Sequence, residues 1–381
     1  INETGAEYIK LENELAEGIN KKEARGGPIG LGFRVPMIIA SPWSRGGKVN
    51  SQVFDHTSVI PFLEHFLSSK YQKKIHQNNI TEWRRTVCGN LTSAFDTFDG
   101  KRIEQFPFIK KDPFIEQIFN AQFTKEPNSF KNLTPDEIKQ INNAPHLSEW
   151  MPAQETGTRI ACALPYQLYS DASLSNDRKS VIITMQASNE VFGRASAGSP
   201  FIIYAREGYL PATPPGNDEA YTGGWQIWNF AVSPGDKLDY AWPLEQFENK
   251  NYRLRLHGPN GFYRNFSGNA QDPEIIIRFE YQRGRFTKSN LTGNVLLSLA
   301  NTDKQQTHII KVQDNAYHSG SVVRSIKPGS TESLILNLNN SSGWYDFTIL
   351  VKGFDTFSRH YAGKVETGKV TTSDPAMSGQ S

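Results

Sequence analysis

The sequence predicts an α/β segment followed by two all-β sandwich domains, and three observations carry that expectation. Between Phe33 and Leu67 an apolar run, a loop and a helical apolar stripe follow one another, the local grammar of an α/β unit. From about residue 165 the texture changes to short alternating runs separated by Gly, Asn, Asp and Pro, such as SVIITMQA, YRLRLHG and YDFTILVKG. Within that second region several markers recur in order at a near-constant offset.

Residues 1–30 are polar, with a weak helical pattern at Tyr8, Leu11 and Leu15 that Gly26-Gly27-Pro28 ends. Phe33–Ala40 (FRVPMIIA) is rich in apolar and β-branched residues and predicts a buried strand. Ser41–Gly47 (SPWSRGG) predicts a loop. Asp55, Thr57 or Ser58 then cap a helix whose stripe is Val59, Phe62, Leu63, Phe66 and Leu67. Pro61 fits only if that helix begins just before it. In α/β units functional groups gather beyond the carboxyl ends of strands, which puts Ser44, Arg45, Asp55 and His56 on a site-like edge. Thr81–Val87 predicts a short helix, and Thr134, Pro135 and Glu137 predict a capping box. The expected organisation is an α/β segment over 1–100, a partly irregular connector over 101–165, and β-sandwiches over 166–284 and 285–381.

The repeat rests on three markers. Pro234-Gly235 recurs as Pro328-Gly329, Tyr252 as Tyr345, and Gly261-Phe262 as Gly353-Phe354. Asn189 and Asn301 each close an opening strand at a wider spacing, which implies an insertion over about 207–224 in the first copy.

A chain of 381 residues is long enough for two or three domains with real cores. Its 41 basic and 39 acidic residues leave a net charge of +2, so nucleic acid is not the expected partner. No apolar run approaches the roughly 18 residues that span a bilayer. The chain begins at Ile1 rather than Met, which reads as a fragment or a processed product. Zinc-type Cys/His spacing, H-E-x-x-H, the P-loop and the G-x-S-x-G elbow are all missing from it. Cys88 and Cys162 fit either a disulfide or two reduced core thiols.

The remaining chemistry is sparse. Asp55-His56 could orient a phosphate or polarise a water; equally, Asp55 caps a helix and His56 packs on the preceding loop. Arg45 is an anion-binding fork or a surface arginine. Trp225, Trp228, Trp242 and Tyr240 form either a lipid or sugar contact surface or, the better fit, sandwich core.

RVPMIIASPWSRGGKVNSQVFDHTSVIPFLE (Arg34–Glu64) closely resembles the last conserved segment of the phosphoesterase domain in bacterial phosphocholine-preferring phospholipases C. WRRTVCGNLTSAFD (Trp83–Asp96) and CALPYQL (Cys162–Leu168) look like the segments that follow, and the duplicated β-units look like that family's paired C-terminal domains. The resemblance implies the C-terminal remnant of an alkaline-phosphatase-like α/β domain. It also implies hydrolysis of phosphatidylcholine-type phosphodiesters to diacylglycerol and phosphocholine. The phospholipid or phosphocholine ester is then the substrate, with peripheral membrane contact, in a secreted or periplasmic protein. The family's Glu-Asn pair, its Thr or Ser nucleophile and its acidic cluster, with a divalent or trivalent metal ion, find no counterpart in this sequence. The chain is therefore expected to be inactive alone and to need an N-terminal catalytic half. Ser44, Arg45, Asp55 and His56 carry over as groups at the site's edge, and Cys88 with Cys162 as a disulfide. The alternative is a non-catalytic β-sandwich module that holds a membrane surface, a glycan or a partner chain.

Overall fold

The computed structural model describes residues 8–20, 27–32, 34–98, 100, 110–126, 130–151, 156–205, 208–210, 226–284 and 291–377. Phe33, Trp225 and nearly all of the expected insertion lie outside the described residues.

The N-terminal half is helical and sparse. Helix α1 (Leu11–Ala16) lies beside a two-residue pairing of Tyr8–Ile9 with Gly27–Pro28. Helix α2 (Val59–Tyr71) begins two residues before Pro61, early enough for its missing N–H to cost nothing. Helix α3 (Glu82–Val87) starts where the Thr81 hydroxyl accepts from the Arg84 amide at 3.3 Å. Helices α4 (Asp112–Ala121) and α5 (Pro135–Asn143) occupy the connector. The capping box of α5 forms as its spacing predicts, with Glu137 accepting from the Thr134 amide at 2.8 Å.

The strand expected over Phe33–Ala40 does not form. Arg34–Ala40 is irregular, and Ile38 is 92% exposed. An apolar β-branched run becomes a strand only when a neighbour takes up its backbone hydrogen bonds, and none of the described strands pairs with it. The stripe of α2 is only partly covered: Phe62 stacks on Phe95 at 5.3 Å, while Val59, Leu63 and Phe66 are exposed.

Among the described residues the paired β-units hold fourteen strands in two equivalent sets of seven, beside a short pairing of Thr371–Thr372 with Ile160–Ala161. The first set is β1 (Leu168–Leu174), β2 (Ser180–Ala187), β3 (Ser199–Ala205), β4 (Gln226–Val232), β5 (Lys237–Pro243), β6 (Tyr252–His257) and β7 (Tyr263–Gly268). The second is β8 (Ile275–Arg283), β9 (Leu291–Asn301), β10 (His308–Asp314), β11 (Ser321–Ile326), β12 (Thr331–Leu336), β13 (Trp344–Val351) and β14 (Ser358–Lys364). Alternation drives the pairing: in β2 the side chains of Val181, Ile183 and Met185 are fully buried while their neighbours are half-buried. β1-β2-β5 and β8-β9-β12 form two matching three-stranded sheets.

The other strands join into one eight-stranded antiparallel sheet in the order β11-β10-β13-β14-β7-β6-β3-β4. That order is a palindrome about the β7/β14 seam, so the duplication expected from the sequence is present as a pseudo-twofold. Strand β8, on the first-domain side of the 284/285 boundary expected from the sequence, pairs with β9 and so belongs to the second set. Gly235 and Gly329 both take positive φ (91° and 68°) in equivalent turns that carry the chain from the eight-stranded sheet to a three-stranded one, which explains why the Pro-Gly marker recurs. Trp242 is buried against Trp228 and Tyr240, the core role expected of this cluster.

The seam is cored by paired arginines. Arg264 on β7 lies opposite Tyr361 on β14, and Phe266 lies opposite Arg359. The Arg264 guanidinium sits 4.0 Å from the Phe262 ring centre, and that of Arg359 sits 4.2 Å from Phe357. The sequence markers equate Phe262 with Phe354; in the structure Phe357 holds the equivalent place under its arginine.

Candidate functional site

The loop from Ser41 to Ser58 is fastened from several sides. Ser44 donates to the Ile39 carbonyl at 3.0 Å and lies 3.0 Å from the Ser41 hydroxyl, so its hydroxyl closes a local turn. Gly46 and Gly47 carry φ of 104° and 62°, where a side chain would be strained. Beyond them Lys48 pairs with Asp96. Val49 bridges to Ala161, donating to the Ile160 carbonyl at 2.8 Å and accepting from the Cys162 amide at 2.8 Å. The Val53 amide donates to the hydroxyl of buried Tyr166 at 3.1 Å, which ties the loop to the first sandwich. Arg45 is half-buried in this loop.

Asp55 does the work of a helix cap. Its Oδ1 accepts from the Thr57 amide (2.9 Å) and hydroxyl (2.6 Å), while the Asp55 amide donates to the Ser58 hydroxyl at 3.1 Å. Its other oxygen pairs with Arg84 on α3. Burial opposes the charge on Asp55, but the Thr57 hydroxyl and the Arg84 guanidinium outweigh it and hold the carboxyl below its usual range. His56 opens the one-turn 3-10 helix that follows and is exposed.

The arginine after Arg84 repeats the device. Arg85 donates to both oxygens of Glu64 on α2 at 2.9 Å. Its guanidinium brings the Glu64 carboxyl down to about 2. The consecutive arginines of the WRRTV segment therefore clamp α3 onto the capped turn that leads into α2 and onto α2 itself. Residue spacing did not reveal them, because their partners lie 29 and 21 positions away.

A cleft of about 900 Å³ opens between this helical clamp and the first sandwich, with Glu64, His65, Arg85, Cys88, Asn90 and Ser196 on its walls. The four expected edge residues do not line it. Ser44 and Asp55 serve the loop and the cap, so the structure does not gather the four into one reactive cluster. Among the described residues no group of three His, Cys, Asp or Glu side chains is placed to hold a metal ion, so the residues present do not fit the ion that the resemblance implies. The disulfide it implies is not formed either: neither Cys88 nor Cys162 is in a disulfide, and burial pushes the Cys162 thiol up.

Residues 160–269 and 275–364 match the family described as "Bacterial phospholipase C, C-terminal domain", and residues 6–68 match the "Phosphoesterase family". The interval 69–159 lies outside both matches. The chain is 33% identical to the non-hemolytic phospholipase C of Pseudomonas aeruginosa, over 93% of this chain and 45% of that protein. It is 33% identical to the hemolytic phospholipase C of the same organism, over 92% of this chain and 46% of that protein. The non-hemolytic phospholipase C of Burkholderia pseudomallei is 30% identical, over 98% and 47%. The chain thus spans about half the length of the curated relatives it matches.

Proposed function

This chain belongs to the bacterial phospholipase C family, and on that premise we propose that it is the C-terminal portion of a phosphoric-ester hydrolase acting on phosphatidylcholine-type phosphodiesters. What carries the reading is that one chain holds both family matches in order, phosphoesterase first and the paired β-units after it. The bare Arg34–Ala40 segment and the exposed part of the α2 stripe, Val59, Leu63 and Phe66, support it: they are faces on which the rest of an alkaline-phosphatase-like α/β domain would pack.

In this reading the reacting groups, with their divalent or trivalent metal ion, belong to an N-terminal catalytic half, and the protein acts outside the cytoplasm. The helical clamp and the sandwich pair present a rigid wall to that half. Asp55 and Arg84 set the angle between α2 and α3, and Ser44 and Arg45 shape the loop beside them. His56 lies exposed next to Asp55 at the same edge.

The test is hydrolysis of a chromogenic phosphocholine ester. The purified 381-residue chain is expected to give no product above blank. The same chain extended by the coding sequence directly upstream of Ile1 is expected to cleave the ester. An inert extended protein overturns the enzymatic reading, and an active short chain overturns the division of labour.

A further inference from the structure

We propose that helix α4 is a membrane-docking element that lays its apolar side into the surface of a zwitterionic phospholipid bilayer. The inference rests on the phospholipid reading above and names the part of the chain that meets the lipid.

Every residue from Lys110 to Glu126 is exposed, so among the described residues α4 packs its apolar side into no core. The helix is nonetheless amphipathic. At about 100° per residue, Phe114, Ile115, Ile118, Phe119 and Ala121 share one side, and Asp112, Glu116, Gln117 and Asn120 share the other. Phe123, just beyond the helix, extends the apolar side, with its ring 5.8 Å from that of Phe119. Ile118 is 76% exposed and Phe123 72%. A soluble domain ordinarily covers a patch of this kind.

Charge decides the kind of surface. Lys110, Lys111 and Lys125 are balanced by Asp112, Glu116 and Glu126. A segment without net charge gains nothing from an anionic partner, and its attraction to a neutral lipid surface is apolar insertion. A second copy is a poor occupant. A ten-residue helix is about 15 Å long and about 10 Å across, so two such faces bury far less than the roughly 1,000 Å² that a stable interface needs. The helix also lies in the interval outside both family matches.

The test is sedimentation of the full chain with phosphatidylcholine vesicles, at low and at high salt. The chain is expected to co-sediment at both, and Ile118→Glu is expected to lower the bound fraction at least tenfold with an unchanged circular dichroism melt. A Phe119→Trp variant is expected to shift its fluorescence to shorter wavelength on adding vesicles. Equal binding by the parent and by I118E overturns the proposal, as does no binding by a monomeric parent. An oligomer that I118E dissolves assigns the face to a second copy and overturns it too. Binding needs no turnover, so vesicle binding by a protein whose extended form is inert would sink the enzymatic reading and leave the lipid contact standing.

Discussion

Arg264 and Arg359 exchange places across the pseudo-twofold: Arg264 on β7 donates to the Ala362 carbonyl on β14 at 2.9 Å, and Arg359 on β14 donates to the Ser267 carbonyl on β7 at 2.7 Å. Each also reaches a tyrosine hydroxyl of the opposite set, Tyr345 for Arg264 (3.2 Å) and Tyr252 for Arg359 (2.7 Å). The symmetry breaks in one respect. Arg359 has a buried carboxylate partner, Asp272, at 3.3 Å, whereas Arg264 is held by rings, carbonyls and a hydroxyl.

That asymmetry sets the cost of removing each arginine. Arg359→Met leaves Asp272 buried without its cation and is expected to destabilise the fold by about 3–5 kcal/mol. Arg264→Met strands no carboxylate in a direct pair, keeps contact with the rings and is expected to cost clearly less. Urea denaturation midpoints of the two variants check the order; equal losses would contradict it.

Asp171 gives the sandwiches a pH dependence. Desolvation pushes its carboxyl up to about 6, against the pull of the Tyr361 hydroxyl, which donates to it at 2.8 Å, and of both arginines. A folded value above the unfolded one means that the folded state binds the proton more tightly. The stability this contributes is present below about pH 4 and is lost as the pH rises through about 6. The slope from this one group is at most about 1.4 kcal/mol per pH unit. Asp171→Asn is expected to flatten the stability profile between pH 4 and 6 in chemical denaturation; a profile of unchanged shape would count against it.

The expected edge residues divide in the same physical way. Asp55→Ala removes a cap and a partner of Arg84 and is expected to cost about 1–2 kcal/mol. His56→Ala touches an exposed side chain and is expected to stay within about 0.5 kcal/mol. Hydrogen exchange of the Thr57 amide reads the difference, with faster exchange expected in D55A alone.

The cysteines are expected to titrate as two thiols in denaturant. In the folded protein the half-buried Cys88 is expected to react with a thiol reagent well before the buried Cys162. A protein with no titratable thiol in denaturant would restore the disulfide.

The β-rich half was legible because its strands are half-buried, so alternation, Pro-Gly turns and a repeated Tyr were all written into the sequence. The arginine pair escaped the repeat search because the second turn is longer, which moves Arg359 and Phe357 out of the register of the Gly353 marker. Arg84 and Arg85 escaped because ion pairs between distant helices leave no period. Arg34–Ala40 was misread because composition reports a strand's side chains and not the neighbour that must pair with its backbone. Asp55 was visible as a candidate, and its two roles were separable only once Arg84 and Thr57 were placed around it.

The measurement closest to the central claim is phosphorus NMR of phosphatidylcholine vesicles treated with the chain joined to its upstream coding sequence. The account predicts that the lipid signal gives way to free phosphocholine as diacylglycerol accumulates. Release of choline with phosphatidic acid left in the lipid, or an unchanged lipid signal, would contradict it.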